Sequence, residues 1–210
     1  MHIAILGSGH VGQELAKGLR RLGHDITLGS RQGNKLGNFL REFDVREATF
    51  AEAIVGADVV IVAVQGAVAE DLVTSLADLL AGKVVVDTTN PIAGEARDGI
   101  VPYFTGADES LLQRLQAAAP AARFVKCWNS VAAHMMVQPK VAGGTPSMFI
   151  CGDDANAKQT VADLVATCGW AVEDVGTSTA GHAVEALCQL WCAPGFLRGD
   201  WAHAFAVLRP

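Results

Sequence analysis

Long apolar runs, paired cysteines and concentrated positive charge are what this chain lacks, and each absence removes a class of function. No segment approaches the ~18 uninterrupted apolar residues of a membrane helix, and no charged leader with an apolar core opens the chain. Neither membrane spanning nor secretion is expected. Only 18% of the 210 residues are charged, the net charge is −6, and no basic cluster of useful length occurs, which argues against a nucleic-acid surface. The five cysteines (Cys127, Cys151, Cys168, Cys188 and Cys192) include no Cys-x-x-Cys. An odd number without ligand spacing suits a reducing cytoplasm, and no metal site is expected. Cys188 and Cys192 share a helix face and read as core thiols. The chain also lacks the Lys-x-x-x-Asn and Ser/Tyr-x-x-x-Lys patterns of proton-relay dehydrogenases. Tyr103, the only tyrosine, sits in a Gly/Pro-rich loop with no lysine four residues on. That counts against an alcohol or hydroxy-acid substrate. Repeats, low-complexity tracts and an obvious linker are missing too.

What is present begins at the N-terminus. Half the residues are hydrophobic, so the chain is globular and long enough to bury roughly 70% of its unfolded surface. Ile3-Ala4-Ile5-Leu6 runs into Gly7-Ser8-Gly9-His10-Val11-Gly12, followed by a helix-like stretch from Gln13 to Leu22. A strand feeding such a turn aims backbone N–H groups and a helix N-terminus at a pyrophosphate. Gly7 permits the tight turn, Gly9 lets phosphate approach the backbone, and Gly12 lets helix and strand pack. Asp25 to Gly29 reads as the second strand. NAD sites usually close it with an acid for the ribose hydroxyls; here Ser30 and Arg31 follow, with Lys35 beyond. A carboxylate would repel a 2′-phosphate, whereas a hydroxyl and a guanidinium fork bind it. The cofactor expected is NADP; the alternative for Arg31 is a solvated loop cation.

The rest alternates. Asn34 to Glu42 looks helical, Arg46 to Thr49 like an edge strand, and Phe50 to Val55 like a helical turn. Asp58 to Val64 is a β-branched run of the kind buried on both faces of a parallel sheet. Val68 to Leu80 has helical spacing, Lys83 to Asp87 is a strand, Ser110 to Ala119 a helix and Arg123 to Trp128 a strand. This is the doubly wound α/β pattern, a Rossmann fold. A strand at Met148 to Gly152, a helix from Ala155 to Cys168 capped by Asp153 or Asp154, and a strand near Trp170 to Val175 follow. Two last helices are expected, Ala180 to Leu190 and Trp201 to Leu208, broken at Pro194-Gly195. The division expected is an NADP-binding domain over residues 1–135 and a mixed α/β extension over 136–210. The extension would complete a second-cofactor pocket and a dimer contact.

In this order, the pieces make the sequence resemble the NADP oxidoreductases that depend on the deazaflavin coenzyme F420. It is also similar to the reductase domain of the six-transmembrane metalloreductases. The resemblance rests on the glycine loop, Gly29-Ser30-Arg31, Asp87-Thr88-Thr89-Asn90-Pro91, Val125 to Val131, Met148 to Asp154, and Glu185-Ala186-Leu187 before Leu190-Trp191. It implies phosphate contacts at Ser8, His10, Val11, Ser30, Arg31 and Lys35. It also implies nucleotide contact at Val64 and a nicotinamide ribose beside Asn90-Pro91. Asn129, Ser130 and Val131 would sit where the nicotinamide meets a second redox ring, F420 or a flavin (FMN or FAD). Three departures lie around that second pocket. Gln65 and Gly66 replace a common proline and aromatic, Trp128 replaces Phe or His, and Cys192-Ala193-Pro194 interrupts a helix.

Hydride transfer between such rings needs no nucleophile or general base. It needs the reacting atoms held roughly 3–3.5 Å apart in a dry site. His10 either contacts phosphate or only satisfies the loop's backbone. Asn129 either ties down the turn after its strand or orients the nicotinamide. His134 either borders the pocket or lies on a surface, and His24, His182 and His203 read as structural. An NADP-dependent dehydrogenase or imine reductase acting on a small substrate, and a redox sensor without turnover, are the competing functions. The apolar stretch from Leu187 to Leu208, with Trp191, Phe196, Trp201 and Phe205, suggests a homodimer.

Overall fold

A computed structural model describes residues 1–32 and 36–210. Six parallel strands form the main sheet: β1 (His2–Leu6), β2 (Asp25–Ser30), β3 (Arg46–Thr49), β4 (Val59–Val62), β5 (Val84–Asp87) and β6 (Arg123–Lys126). Their order is β3-β2-β1-β4-β5-β6. The direction of winding reverses between β1 and β4, and ligands gather outside the carboxyl ends of the strands at that point. Why these segments are strands is visible in their burial. Ile3, Ile5, Val59, Ile61, Val84 and Val86 enter one core, whereas Ala4, Leu6, Val60, Val62 and Val85 enter the other. Alternate residues thus serve opposite faces. Each fully buried Val or Ile contributes about 1.5–3 kcal/mol by leaving water.

Helices cover both faces: α1 (His10–Arg21), α2 (Gly37–Phe43), α3 (Phe50–Ile54), α4 (Gly66–Ser75), α5 (Ala77–Leu80) and α6 (Leu111–Ala118). Thr49 and Ser110 begin α3 and α6 with reciprocal capping boxes through Glu52 and Gln113. The helix expected over 68–80 is two, α4 and α5, meeting at Leu76, and it starts earlier, at Gly66. Asn34, the expected start of α2, lies outside the described residues.

A second, two-stranded parallel sheet pairs β7 (Ser147–Ile150) with β8 (Ala171–Asp174) around α7 (Ala155–Thr167). Lys126 donates its backbone N–H to the Cys151 carbonyl at 2.9 Å, so this sheet abuts the edge of the first. The paired acids divide their labour. Asp154 caps α7 by accepting from Ala157 N (2.7 Å), while Asp153 accepts from Ser178 N (2.8 Å).

The chain's end departs from expectation. Helix α8 (Gly181–Arg198) runs through Pro194 instead of stopping there. Proline removes the bond to the Leu190 carbonyl, and Leu190 lies on the exposed side of the helix, where water can replace it. Left-handed Gly199 (φ +73°) then closes the helix. Residues 201–208 are not helical. Trp201 lies flat on Gly195, where a Cβ would come within 2.3 Å of the indole, and it packs edge-on against Phe196. Ser147 donates to the Phe205 carbonyl (2.8 Å) and accepts from Val207 N (2.9 Å). The tail therefore finds its backbone partners along β7, leaving no reason to close helical turns.

Candidate functional site

Two adjoining cavities, about 690 and 510 Å³, open at the carboxyl ends of β1, β2, β4 and β5. They share Val11, Ala63, Val64 and Gln65, and so form one elongated cleft. The outer cavity holds Gly7, Ser8, Gly9, His10 and Val11 together with Ser30 and Arg31. The inner cavity is lined by Gly66, Thr88, Thr89, Asn90 and residues 92–94 of the following loop.

The glycine loop is built by close backbone packing. A Cβ on Gly7 (φ +137°) would fall 2.3 Å from the Ala63 carbonyl oxygen, and one on Gly12 would fall 1.9 Å from that of Gly7. Gly9 has nothing within 4 Å of its missing Cβ. It caps α1 without a side-chain bond, and no acid stands in the first turn. The first N–H groups of α1 therefore face the cleft with positive partial charge and no side-chain acceptor of their own. A Cβ-free approach and uncapped amides fit a pyrophosphate. Gln13 fixes the loop by donating to the Ser8 carbonyl at 2.8 Å, and Gly7 N donates to Gly29 O at 3.0 Å, joining the loop to the end of β2.

At the outer end, Ser30 is buried and Arg31 exposed. Ser30 donates its hydroxyl hydrogen to Glu47 on neighbouring β3 at 2.9 Å, and the other Glu47 oxygen accepts from Leu36 N at 3.1 Å. Sequence reading did not single out Glu47. Its position opposite Leu28 in the β2–β3 register, two residues from Ser30's own partner Thr49 and so on the same face of β3, is the signal that could have found it. Lys35 lies outside the described residues.

At the inner end, Val64, Gln65 and Asn90 line the cavity, whereas Pro91, Asn129 and Ser130 are buried beside it. Gly66 is required there, because a Cβ would come within 2.0 Å of the Asn90 carbonyl oxygen. Asn90 and Asn129 interlock. Asn90 Nδ2 donates to the Asn129 carbonyl (2.8 Å), and Asn129 Nδ2 donates to Asn90 Oδ1 (3.1 Å) and to the Val184 carbonyl (2.9 Å). Asn129 Oδ1 is buried with no partner among the described residues. The turn that delivers Asn129 is strained, since Trp128 adopts φ +58°, a region unusual for a bulky side chain. Its indole is fully buried, with Nε1 unpartnered among the described residues, and its backbone N–H donates to Met148 Sδ at 3.3 Å. Asn129 thus fastens its turn through Nδ2, as one of the two expected alternatives has it, and keeps an unspent acceptor at Oδ1.

Behind this pair lies an ion cluster that motif reading passed over. Lys126 Nζ, fully buried, lies 2.6 Å from Asp87 Oδ2, 2.8 Å from Glu185 Oε1 and 2.9 Å from the Thr89 carbonyl. Burial opposes the lysine's charge, but the two carboxylates outweigh it and hold its pKa above the ordinary lysine value. A lysine between Val125 and Cys127 in an apolar strand was the available clue, since such a charge must find a partner.

The histidines are mostly peripheral. His134 is exposed on a 3₁₀ turn, His182 bonds the Thr179 carbonyl at 3.0 Å, and His203 stacks on Trp191 at 5.2 Å. Only His10 borders the cleft. Tyr103 Oη donates to the Glu185 carbonyl at 2.7 Å, away from the inner cavity. Burial, then neighbouring Cys188, pushes its hydroxyl well above the usual range.

With the glycine loop, the 3-2-1-4-5-6 sheet and the cleft in view, comparison with known proteins becomes decisive. The family of NADP oxidoreductases dependent on coenzyme F420 matches residues 2–91. A solved structure described as a candidate F420-dependent NADP-reductase, from Arthrobacter sp. FB24, is 34% identical and covers the full length of both chains, with a TM-score of 0.92. The chain belongs to this family. It is accordingly an NADP-dependent oxidoreductase. The reductase named metalloreductase STEAP3, from Rattus norvegicus, is 31% identical over 186 residues, or 88% of this chain. The chain spans 36% of the length of that curated relative. A reductive aminase from Aspergillus terreus, solved with NADPH, is 20% identical, covers 94% of this chain and 62% of its own, and has a TM-score of 0.66; that likeness shows the fold alone. Among the described residues, no helix is long and apolar enough to cross a membrane.

Proposed function

We propose that this oxidoreductase passes hydride between NADP(H) and a second planar redox ring, a deazaflavin of the F420 type or a flavin. The observation that carries the reading is the lining of the inner cavity: Val, Ala, Gly, Thr, Gln, Asn and Ile, with no titratable side chain among the described residues. Reducing a carbonyl or imine calls for a positioned proton donor; ring-to-ring hydride transfer calls for alignment and dryness. NADPH supplies the hydride when bound. The chain's residues do the rest: the α1 N-terminus and Gly9 would receive the pyrophosphate, Ser30 and Arg31 the 2′-phosphate, and Val64, Asn90 and Asn129 would orient the nicotinamide end.

Two further readings go with this one. Five cysteines, none in a disulfide, support a reducing, cytoplasmic setting. Exposed Leu190, Phe196, Leu197 and Trp201, clustered on and after the end of α8, support a homodimer formed through that surface. Light scattering on the purified chain should give twice the monomer mass, and Leu197→Glu should halve it.

The test of the main reading is an anaerobic visible spectrum of the purified protein mixed with NADPH and, separately, F420, FMN or FAD. Bleaching of one oxidised ring at a rate dependent on the protein is the expected result. Oxidation of NADPH only when a ketone or imine is offered would replace the ring acceptor with a small substrate. No oxidation with any acceptor would leave a nucleotide-binding sensor.

A further inference from the structure

Lys126, Asp87 and Glu185 are buried beyond contact with solvent, and none is needed for the nucleotide contacts above. Burying three charges is costly, and neutral residues of similar shape often serve stability as well or better. What such a cluster supplies is direction, and here its bonds to Thr89 lead to the cleft. Asp87 Oδ1 accepts from Thr89 N (2.8 Å) and from Thr89 Oγ1 (2.7 Å), while Lys126 Nζ donates to the Thr89 carbonyl (2.9 Å). Both ends of Thr89 are therefore held, and Asn90 leaves from a fixed peptide into the inner cavity. Glu185 holds Lys126 from α8 and accepts from Leu111 N and Leu112 N, each at 3.0 Å, at the N-terminus of α6. The residue before it, Val184, gives its carbonyl to Asn129. One dipeptide of α8 thus grips both halves of the Asn90–Asn129 lock.

We infer that Lys126, Asp87 and Glu185 are positioning residues that, through Thr89, set Asn90 against the nicotinamide half of the nucleotide. Helix α8 is then the element that aligns the inner end of the cleft. The inference rests on the NADP reading of the preceding subsection. It makes a distinction that a merely structural cluster would not. The nicotinamide half should feel a change at Glu185, and the adenosine half, held by β2 and the glycine loop, should not.

The experiment is equilibrium binding of two probes, NADP⁺ and adenosine 2′,5′-bisphosphate, which carries the 2′-phosphate and no nicotinamide. In Glu185 one oxygen, Oε1, serves both Lys126 Nζ and Leu112 N while Oε2 serves Leu111 N, so in Glu185→Gln the new amide group must face a donor in either orientation. Its affinity for NADP⁺ should fall at least fivefold while that for the bisphosphate stays within twofold. In an Asn90→Ala background the same change should cost NADP⁺ less than twofold more, because it acts through Asn90. Should Glu185→Gln not fold, the neutral variant Asp87→Asn/Lys126→Met/Glu185→Gln, which leaves no buried charge, must show the same split. Parallel loss of both probes, no loss of either, or full additivity with Asn90→Ala would overturn the inference. A wild-type chain that binds neither probe would overturn the NADP reading itself, and the inference with it.

Discussion

Ser30 and Glu47, on adjacent strands, share a hydrogen bond of 2.9 Å at the outer end of the cleft. A carboxylate thus stands beside the hydroxyl expected to meet a 2′-phosphate. It also accepts from Leu36 N, so it serves the turn after β2 while opposing the anion. Glu47→Gln keeps an acceptor for one of these bonds and removes the charge. Relief of like-charge repulsion across a solvated site is worth about 0.5–1 kcal/mol. NADPH should therefore bind about two- to fivefold tighter, with NADH unchanged, in a fluorescence titration of both. Weaker binding of both nucleotides would show that the carboxylate's grip on the turn matters more than its charge.

Arg31 is exposed at the same end. If it reads the 2′-phosphate through charge-assisted bonds worth roughly 1.5–3 kcal/mol, Arg31→Ala weakens NADPH about ten- to hundredfold and leaves NADH nearly untouched. Equal losses for the two nucleotides would make Arg31 a support for the loop.

The glycine loop separates two kinds of glycine. Gly9 has φ −76° and open space around its missing Cβ, so Gly9→Val should leave the melting temperature within a few degrees and abolish NADPH binding. Gly12 meets the Gly7 carbonyl oxygen at 1.9 Å from a built Cβ. Gly12→Ala should cost more than the about 1–3 kcal/mol typical of overpacking. A stable Gly12→Ala protein, or a Gly9→Val protein titrated normally by NADPH, would contradict this division.

How much of this was legible beforehand differs by element. The six strands and their doubly wound arrangement were readable because β-branched runs such as 59–62 have one physical use in an α/β chain, burial on both faces. The glycine loop was readable because its chemistry is local. The path of residues 201–208 was not, since their apolar spacing is helical but their partners, Gly195 and Ser147, are chosen by tertiary packing. The ion cluster was hidden for the same reason. Asp87, Lys126 and Glu185 are far apart in sequence, and although each lies in a segment that carries the resemblance, nothing in their spacing pairs one with another. Glu47 was masked by its place on a short edge strand, where an acid is ordinary.

The cysteines give a pH-dependent expectation. Burial pushes Cys151 and Cys168 up to about 12, and it raises Cys127 too. Cys192, half-buried, is lowered by its hydrogen bond with Cys188, 3.8 Å away. Iodoacetamide at pH 8 should therefore mark Cys192 first and the others only on unfolding. The buried thiols stay protonated in the fold while those of the unfolded chain ionise near 9. Their contribution to stability is thus complete below that pH and is lost as pH rises from about 9 toward 12. Cys151→Ala should flatten the decline in chemical-denaturation stability over that window. A decline as steep as wild type would assign it to other groups.

Asn129 carries the sharpest expectation about chemistry. Its Nδ2 is spent on Asn90 and Val184, but its buried Oδ1 has no partner among the described residues. A buried acceptor left unpaired costs on the order of 1–3 kcal/mol, which a donor arriving with the nucleotide would recover. Asn129→Leu removes both functions: it breaks the lock to Asn90 and deletes the waiting acceptor. Asn129→Asp keeps Oδ1 but replaces the donor with a second oxygen facing the acceptors of Asn90 and Val184, so it breaks the lock while retaining the acceptor. Misplacing the reacting atoms by roughly 1 Å slows transfer about a hundredfold. Single-turnover hydride transfer with F420, FMN or FAD should therefore fall by about that factor in Asn129→Leu, with NADPH affinity changed only a few-fold. Rates that fall no further than the melting temperatures of the two variants imply would leave Asn129 a fastener of the turn after β6.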